Sequence, residues 1–262
     1  MNKVKEIVEK KSSINFGLQG KRVVIIGAQR GIGYELAKAF QAQGANLVIT
    51  SESEDIFKAK DMLLENNENE TIVEAVQCDV TNLEQIQKAF EEIGKHDILI
   101  ANAGMYTTTL STNLSEQNVE TFQRHFDINV IGLRNCAVAA VPYLEPGSRI
   151  IFTGSIWGKV GASEYSAYVA SKHAVLGLMK SMAMDLGPLG ISVNAVNPGS
   201  IATQANISEL SEEKKASLTA QMSLRKGLID PKHLVGAYLF LASDAASEIH
   251  GESITVDRGQ TI

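Results

Sequence analysis

Short β-branched apolar runs alternate with stretches of helical spacing along nearly all of this 262-residue chain. Strands are expected at residues 22–26, 46–50, 71–76, 97–101, 149–153, 191–196 and 253–257, and helices at 34–44, 56–65, 83–93, 119–144, 165–186 and 231–243. A run that is apolar at every position reads as a strand buried on both faces. Strands alternating with helices are joined by right-handed crossovers, which set the strands parallel in one sheet. The expected fold is therefore α/β: a doubly wound, seven-stranded parallel sheet with helices on both faces. No repeat, low-complexity tract or Pro/Gly-rich linker divides the chain, so residues 19–262 are expected to form a single domain behind an N-terminal extension, 1–18.

The first strand leads into Gly27-Ala-Gln-Arg-Gly31-Ile-Gly33, and the helix follows directly. Strand, glycine turn and helix together make a phosphate cradle. Glycines allow a tight turn and close backbone approach, and the helix N-terminus attracts a pyrophosphate. The spacing is G-x-x-x-G-x-G, wider than the common dinucleotide fingerprint.

Tyr168 and Lys172 stand four apart, with Ser155 upstream, just past the apolar run 149–153. Residues four apart share one helix face. An ammonium beside a phenol favours the phenolate. Unit charges about 4 Å apart interact by roughly 4 kcal/mol at an effective dielectric of about 20. Lys172 is therefore expected to draw the Tyr168 phenol down towards neutrality and make it a general acid/base for a substrate hydroxyl. Ser155 lies where α/β sheets bind ligands, at the carboxyl end of a strand. Tyr165, the near rival of Tyr168, has Val169 four residues on and so lacks a lysine.

Gly27, Gly31 and Gly33, then Asn102-Ala-Gly104, Asn129, Ser155, Tyr168 with Lys172, and Asn197-Pro-Gly199 follow the order and spacing of one family. From about residue 19 onward the chain resembles the short-chain dehydrogenase/reductases, in the branch of bacterial ketoacyl reductases and secondary-alcohol dehydrogenases. Ile26, Ala101 and Arg258 depart from the usual motifs without removing a catalytic group. The resemblance implies a Rossmann-type fold and an NAD(P)-dependent enzyme acting on CH–OH groups, interconverting a secondary alcohol and a ketone. It implies that Ser155 polarises the substrate oxygen, that Lys172 also binds the nicotinamide ribose, and that Asn129 holds a water of a proton relay. A structural bond at a helix kink is the other reading of Asn129.

For the cofactor, the resemblance implies contacts from Gly27, Gln29, Arg30, Gly31, Ile32 and Gly33. It adds Asp79 and Val80 at the adenine, and Asn102, Ala103 and Gly104 at the ribose and adenine. Pro198, Gly199, Ile201 and Thr203 would lie at the carboxamide. The NAD/NADP choice falls at the end of the second strand. Ser51 suits either cofactor, and Arg30 suits a 2′-phosphate. Glu52, Glu54 and Asp55 repel one, so NAD is favoured over NADP. Trp157 and Tyr165, with Val160, Gly161 and Glu164, are expected around the substrate. Residues 204–228 are expected to form a lid, whose Ile207, Leu210, Leu218, Met222 and Leu224 serve either the pocket or the core.

A net charge of −6 disfavours nucleic acid and anionic membrane as partners, and no apolar run is long enough to span a bilayer. A small-molecule substrate is expected, in a cytoplasmic protein that the resemblance implies is a homotetramer. Cys78 and Cys136 sit singly in apolar sequence and read as buried thiols. His125 and His173 read as ordinary helix residues, and no cluster has metal-ligand spacing, so no metal is expected. Residues 1–10 lack the apolar centre of a signal peptide. Two other classes stand beside the alcohol dehydrogenase: an NADPH-dependent 3-oxoacyl-carrier reductase, and a non-catalytic nucleotide-binding protein.

Overall fold

The computed structural model describes residues 14–65 and 67–262. Residues 1–13 of the expected N-terminal extension lie outside them. Seven strands, β1 (Arg22–Ile26), β2 (Asn46–Ser51), β3 (Val73–Gln77), β4 (Ile98–Ala101), β5 (Arg149–Thr153), β6 (Ser192–Pro198) and β7 (Ser253–Val256), form one sheet in the order 3-2-1-4-5-6-7. Every neighbouring pair is parallel, as the strand–helix alternation demands.

Alternate residues along each strand feed two separate apolar layers. Val23, Ile25, Leu47, Ile49, Ile98, Ile100 and Ile151 face one side. There they meet α1 (Gly31–Ala42), α2 (Asp55–Glu65) and α9 (Val235–Ala242), through side chains such as Phe40, Ile56 and Leu241. Val24, Ile26, Val48, Leu99, Ala101, Ile150 and Phe152 face the other side. There they meet α3 (Leu83–Ile93), α5 (Leu133–Ala140) and α6 (Ser166–Leu186). Side-chain caps start several helices: Asn82 accepts from the Gln85 N–H at the head of α3, and Ser115 from the Asn118 N–H at the head of α4 (Glu116–Phe126).

The helix expected over 231–243 opens as a 3-10 turn (Pro231–His233) before α9, and a second helix differs more. The single helix expected over 119–144 is α4, then a π-helical turn over Asp127–Gly132, then α5, with a 3-10 turn at its end. The buried Asn129 lies inside that π turn. Its amide is bonded outside its own helix, to Met105 and Ser171, and the wider turn carries that side chain inwards.

The strand order reverses between β1 and β4, and the carboxyl ends of those strands diverge there into a crevice. Gly27 follows β1, Asn102 follows β4 and Ser155 lies just past β5, so three separate stretches of sequence open into one cleft.

Candidate active site

The glycine turn is held by its own backbone. The N–H groups of Gly27 and Ala28 both donate to Thr50 O, at 2.8 and 3.0 Å. A Cβ on Gly33 would stand 2.1 Å from Gly27 O and 2.8 Å from Asn102 Nδ2, so only glycine lets α1 approach so near. No side chain caps α1 at Arg30, which leaves the first N–H groups of the helix for a ligand.

These groups open on a cavity of about 540 Å³. Gly27, Gln29, Arg30, Gly31, Ile32, Glu52, Asp79 and Val80 line it, with Asn102, Ala103 and Gly104. Ser155, Trp157, Tyr168 and Lys172 line it from β5 and α6, and Pro198, Gly199, Ile201 and Thr203 from the end of β6. Seven of the expected residues do not line it; Val160, Gly161 and Glu164 stay outside it in the loop before α6, and four others stand behind its wall. Gly33 is packed under the turn. Tyr165 is buried and stacked on Tyr106, ring centroids 4.8 Å apart. Ser51 is buried, its hydroxyl bonded to Glu52 Oε2 and accepting from the Ser53 N–H, so Glu52 rather than Ser51 meets the cavity. Asn129 is buried too. Its Nδ2 donates to Met105 O and Ser171 Oγ, and its Oδ1 accepts from the Met105 N–H at 2.8 Å.

Lys172 Nζ donates to Thr153 O at 2.8 Å and lies 5.6 Å from the centre of the Tyr168 ring. Burial dominates the charges of this pair. It pushes the Tyr168 phenol up to about 12, with the Ser155 hydroxyl pulling the other way. It pushes the Lys172 ammonium down to about 8. This corrects the expectation of a tyrosine drawn towards neutrality. Loss of solvation outweighs the attraction of the lysine for a phenolate, and in the protein alone the ammonium's proton is the more weakly held of the two.

Tyr106 was not singled out from sequence, yet it stacks on Tyr165 and meets Tyr168 edge-on at 5.1 Å. With Trp157, 4.9 Å from Tyr165, it completes an aromatic wall around the phenol. The available signal was its position, two residues past Asn102-Ala-Gly104. Arg124 and Ile128, from the helical segment before Asn129, also reach the cavity. His125 is buried and accepts from the Thr107 N–H, consistent with a structural histidine.

Residues 204–228 carry two short helices, α7 (Gln204–Glu209) and α8 (Glu212–Thr219). Leu218 reaches the cavity, Met222 packs into the core, and Ile207 and Leu224 are exposed. Lys214 of α8 pairs with Glu164 at 2.6 Å, tying this segment to the loop before α6. Both cysteines are free and buried. Among the described residues no cluster could hold a metal ion, and no helix is long and apolar enough to cross a membrane.

Residues 27–261 match the family model described as Enoyl-(Acyl carrier protein) reductase. Short-chain dehydrogenase reductase 3a of Arabidopsis thaliana is 34% identical over 257 residues, which cover 94% of this chain and 96% of that protein. D-xylose 1-dehydrogenase of Caulobacter vibrioides is 31% identical over 250 residues, covering 95% and 98%. Among solved structures, a blue fluorescent protein from a metagenomic library in complex with NADPH matches with a TM-score of 0.85 at 29% identity, covering 94% of this chain and 99% of that one. The chain belongs to the short-chain dehydrogenase/reductase family, and it is an NAD(P)-dependent oxidoreductase.

Gly33→Ala tests the close approach at the glycine turn. The added methyl has no room against Gly27 O, so the variant should lose dinucleotide binding and melt at a lower temperature. Unchanged binding by calorimetric titration would contradict the geometry.

Proposed function

We propose that the protein interconverts a secondary alcohol and a ketone, with Tyr168 as the general acid/base. The observation that carries this reading is the convergence of Ser155, Tyr168 and Lys172 on the same cavity as the glycine turn. A nicotinamide dinucleotide, when bound, supplies hydride exchange with the substrate carbon. The uncapped start of α1 fits its pyrophosphate, with Gln29, Arg30, Gly31 and Ile32 around it. Asp79, Val80 and the segment Asn102, Ala103 and Gly104 would hold the adenosine. Lys172 would hold the nicotinamide ribose, and Pro198, Gly199, Ile201 and Thr203 the carboxamide. Residues 204–228 would close over the cleft as a lid, with the Lys214–Glu164 pair as one of its ties.

In oxidation, Tyr168 takes the hydroxyl proton while Ser155 donates a hydrogen bond to the oxygen as charge develops on it. In reduction, Tyr168 returns the proton. Trp157 and Tyr106 suit a substrate with an apolar or ring-like face. Asn129 and Lys172 would share a relay water. Both Nδ2 hydrogens of Asn129 are used, but Oδ1 keeps a lone pair. The position a Cβ would take on Gly104 is 3.3 Å from that Oδ1 and 3.7 Å from Lys172 Nζ, and glycine leaves it open.

The assignment of the base is tested by rate and pH together. Tyr168→Phe should keep dinucleotide binding and lose about 10²–10⁴-fold in turnover. Tyr165→Phe should not. Below about 8 the phenol and the ammonium both hold their protons, and no base is free for an alcohol. Tyr168 becomes a base only as its own phenol ionises, so oxidation should accelerate and reduction slow as pH rises. Lys172→Met removes the nearby cation that favours the phenolate and should move that rise to higher pH. Near-normal turnover in Tyr168→Phe, or a pH profile that ignores Lys172→Met, would remove Tyr168 from this role.

The cofactor assigned is NAD rather than NADP. Glu52 lines both the main cavity and an adjoining recess, beside Asp55 and Arg30. Lys58, in the same recess, is tied to Asp55 at 2.9 Å. The Glu52 carboxylate can accept from ribose hydroxyls and repels a 2′-phosphate. Catalytic efficiency should therefore be higher with NAD(H), and Glu52→Arg should shift it towards NADP(H). A wild type that prefers NADP(H) by tenfold, about 1.4 kcal/mol, would mean that Arg30 prevails.

A homotetramer is proposed as the working assembly. Val119, Phe122, Ile131 and Val138 along α4 to α5, and Met184 on α6, are exposed apolar side chains that a closed symmetric association would cover. Light scattering should give four chains per particle; a monomer at micromolar concentration would refute the proposal.

A further inference from the structure

A chain of side-chain hydrogen bonds runs beneath the cavity from α9 to the glycine turn. The Tyr238 hydroxyl is 2.9 Å from Thr153 Oγ1, on β5. Thr153 Oγ1 is 3.0 Å from Asn102 Oδ1, just past β4. Asn102 Nδ2 donates to Gly27 O at 2.9 Å. The directions follow from the inventory of donors. The Gly27 carbonyl can only accept, so Asn102 turns its NH₂ to it and offers Oδ1 to Thr153. Thr153 spends its one hydrogen there, and Tyr238 must donate to Thr153. Burial drives the Tyr238 phenol well above its ordinary range, so this donor keeps its hydrogen.

Thr153 also faces the other half of the site. Its backbone carbonyl accepts from Lys172 Nζ at 2.8 Å. One residue of β5 thus touches the glycine turn through Asn102 and the lysine through its own carbonyl. Tyr238 itself is fully buried and does not line the cavity. The apolar side chain of Ile26, next to the turn, offers no hydroxyl that could substitute for this chain.

We propose that Tyr238 is a positioning residue for cofactor binding: its hydroxyl fixes the Thr153 rotamer, and through it the Asn102 amide and the Gly27 carbonyl that shape the turn. This rests on the cavity being the dinucleotide site. The effect should fall on cofactor affinity more than on turnover, because the chain ends at the glycine turn and not at the reacting oxygen.

Dinucleotide titrations of the full chain test this, with NADH and NADPH as probes and the fluorescence of Trp157, the only tryptophan, as one signal. Urea denaturation of each variant without ligand runs beside them. Tyr238→Phe keeps the ring and removes only the hydroxyl. It should raise the dissociation constant about three- to tenfold, the scale of one net hydrogen bond, with kcat at saturating cofactor changed less than about twofold. Thr153→Val should raise it at least as much. The double variant should be no weaker than Thr153→Val alone, since both act on one chain. Thr153→Ser restores the hydroxyl and should bring affinity back towards wild type. Affinity unchanged in Tyr238→Phe while urea stability falls would make the hydroxyl merely structural and overturn the proposal. Additive losses in the double variant would overturn it too. If the wild type binds neither probe, the reading of the cavity itself fails, and the inference with it.

Discussion

The parallel pairing of β1 with β4 is the constraint on which everything else rests. It sets Ile26 beside Ala101, so the chain leaves both strands side by side at Gly27 and Asn102. The Asn102 Nδ2 bond to Gly27 O then closes the gap between two segments 75 residues apart in sequence. Pairing of β4 with β5 brings Thr153 and Ser155 to the same edge. A slip of one residue in either pairing would exchange the two apolar layers and scatter the cleft. The register that buries the core is thus the register that assembles the site.

Much of this was legible in the sequence because strand burial and glycine turns leave strong local marks. The runs 22–26 and 149–153 became β1 and β5 with the same bounds, and Gly27, Gly31 and Gly33 form the turn their spacing implies. Other features depend on contacts distant in sequence and left no local mark. Ser51 ends an apolar strand and Ser155 lies just past one, yet Ser51 sits under Glu52, its hydroxyl accepting from the backbone N–H of Ser53. Tyr106 sits in an irregular segment without periodicity, and only the fold brings it against Tyr165 and Trp157. The burial that governs Tyr168 is hidden in the sequence for a related reason. Sequence shows that a lysine is near, but not that both groups are cut off from water.

That shared burial explains how a strongly held proton can still be useful. A buried ammonium and a buried phenol compete over a small number of hydrogens, and neither is comfortable in its charged form. Thr153 O gives the ammonium one fixed acceptor, which orients it without neutralising it. The pair is therefore sensitive to any further charge brought into the cleft, and a cationic ring beside the phenol would favour the phenolate.

The π turn over Asp127–Gly132 has a consequence for how this stretch tolerates insertion and deletion. A regular helix advances about 100° per residue, so one extra residue in a turn offsets the two ends in phase by that amount. Upstream, α4 lies along α6 and carries His125 inward; downstream, Leu133, Cys136, Ala137 and Ala140 face the sheet. The turn is what lets both faces be satisfied by one continuous helical rod. Removing a single residue there would restore a regular pitch and could serve only one end: either the Asn129 amide would swing away from Met105, or the apolar face of α5 would rotate off the sheet. The length of this segment is therefore as tightly specified as the identity of any residue within it.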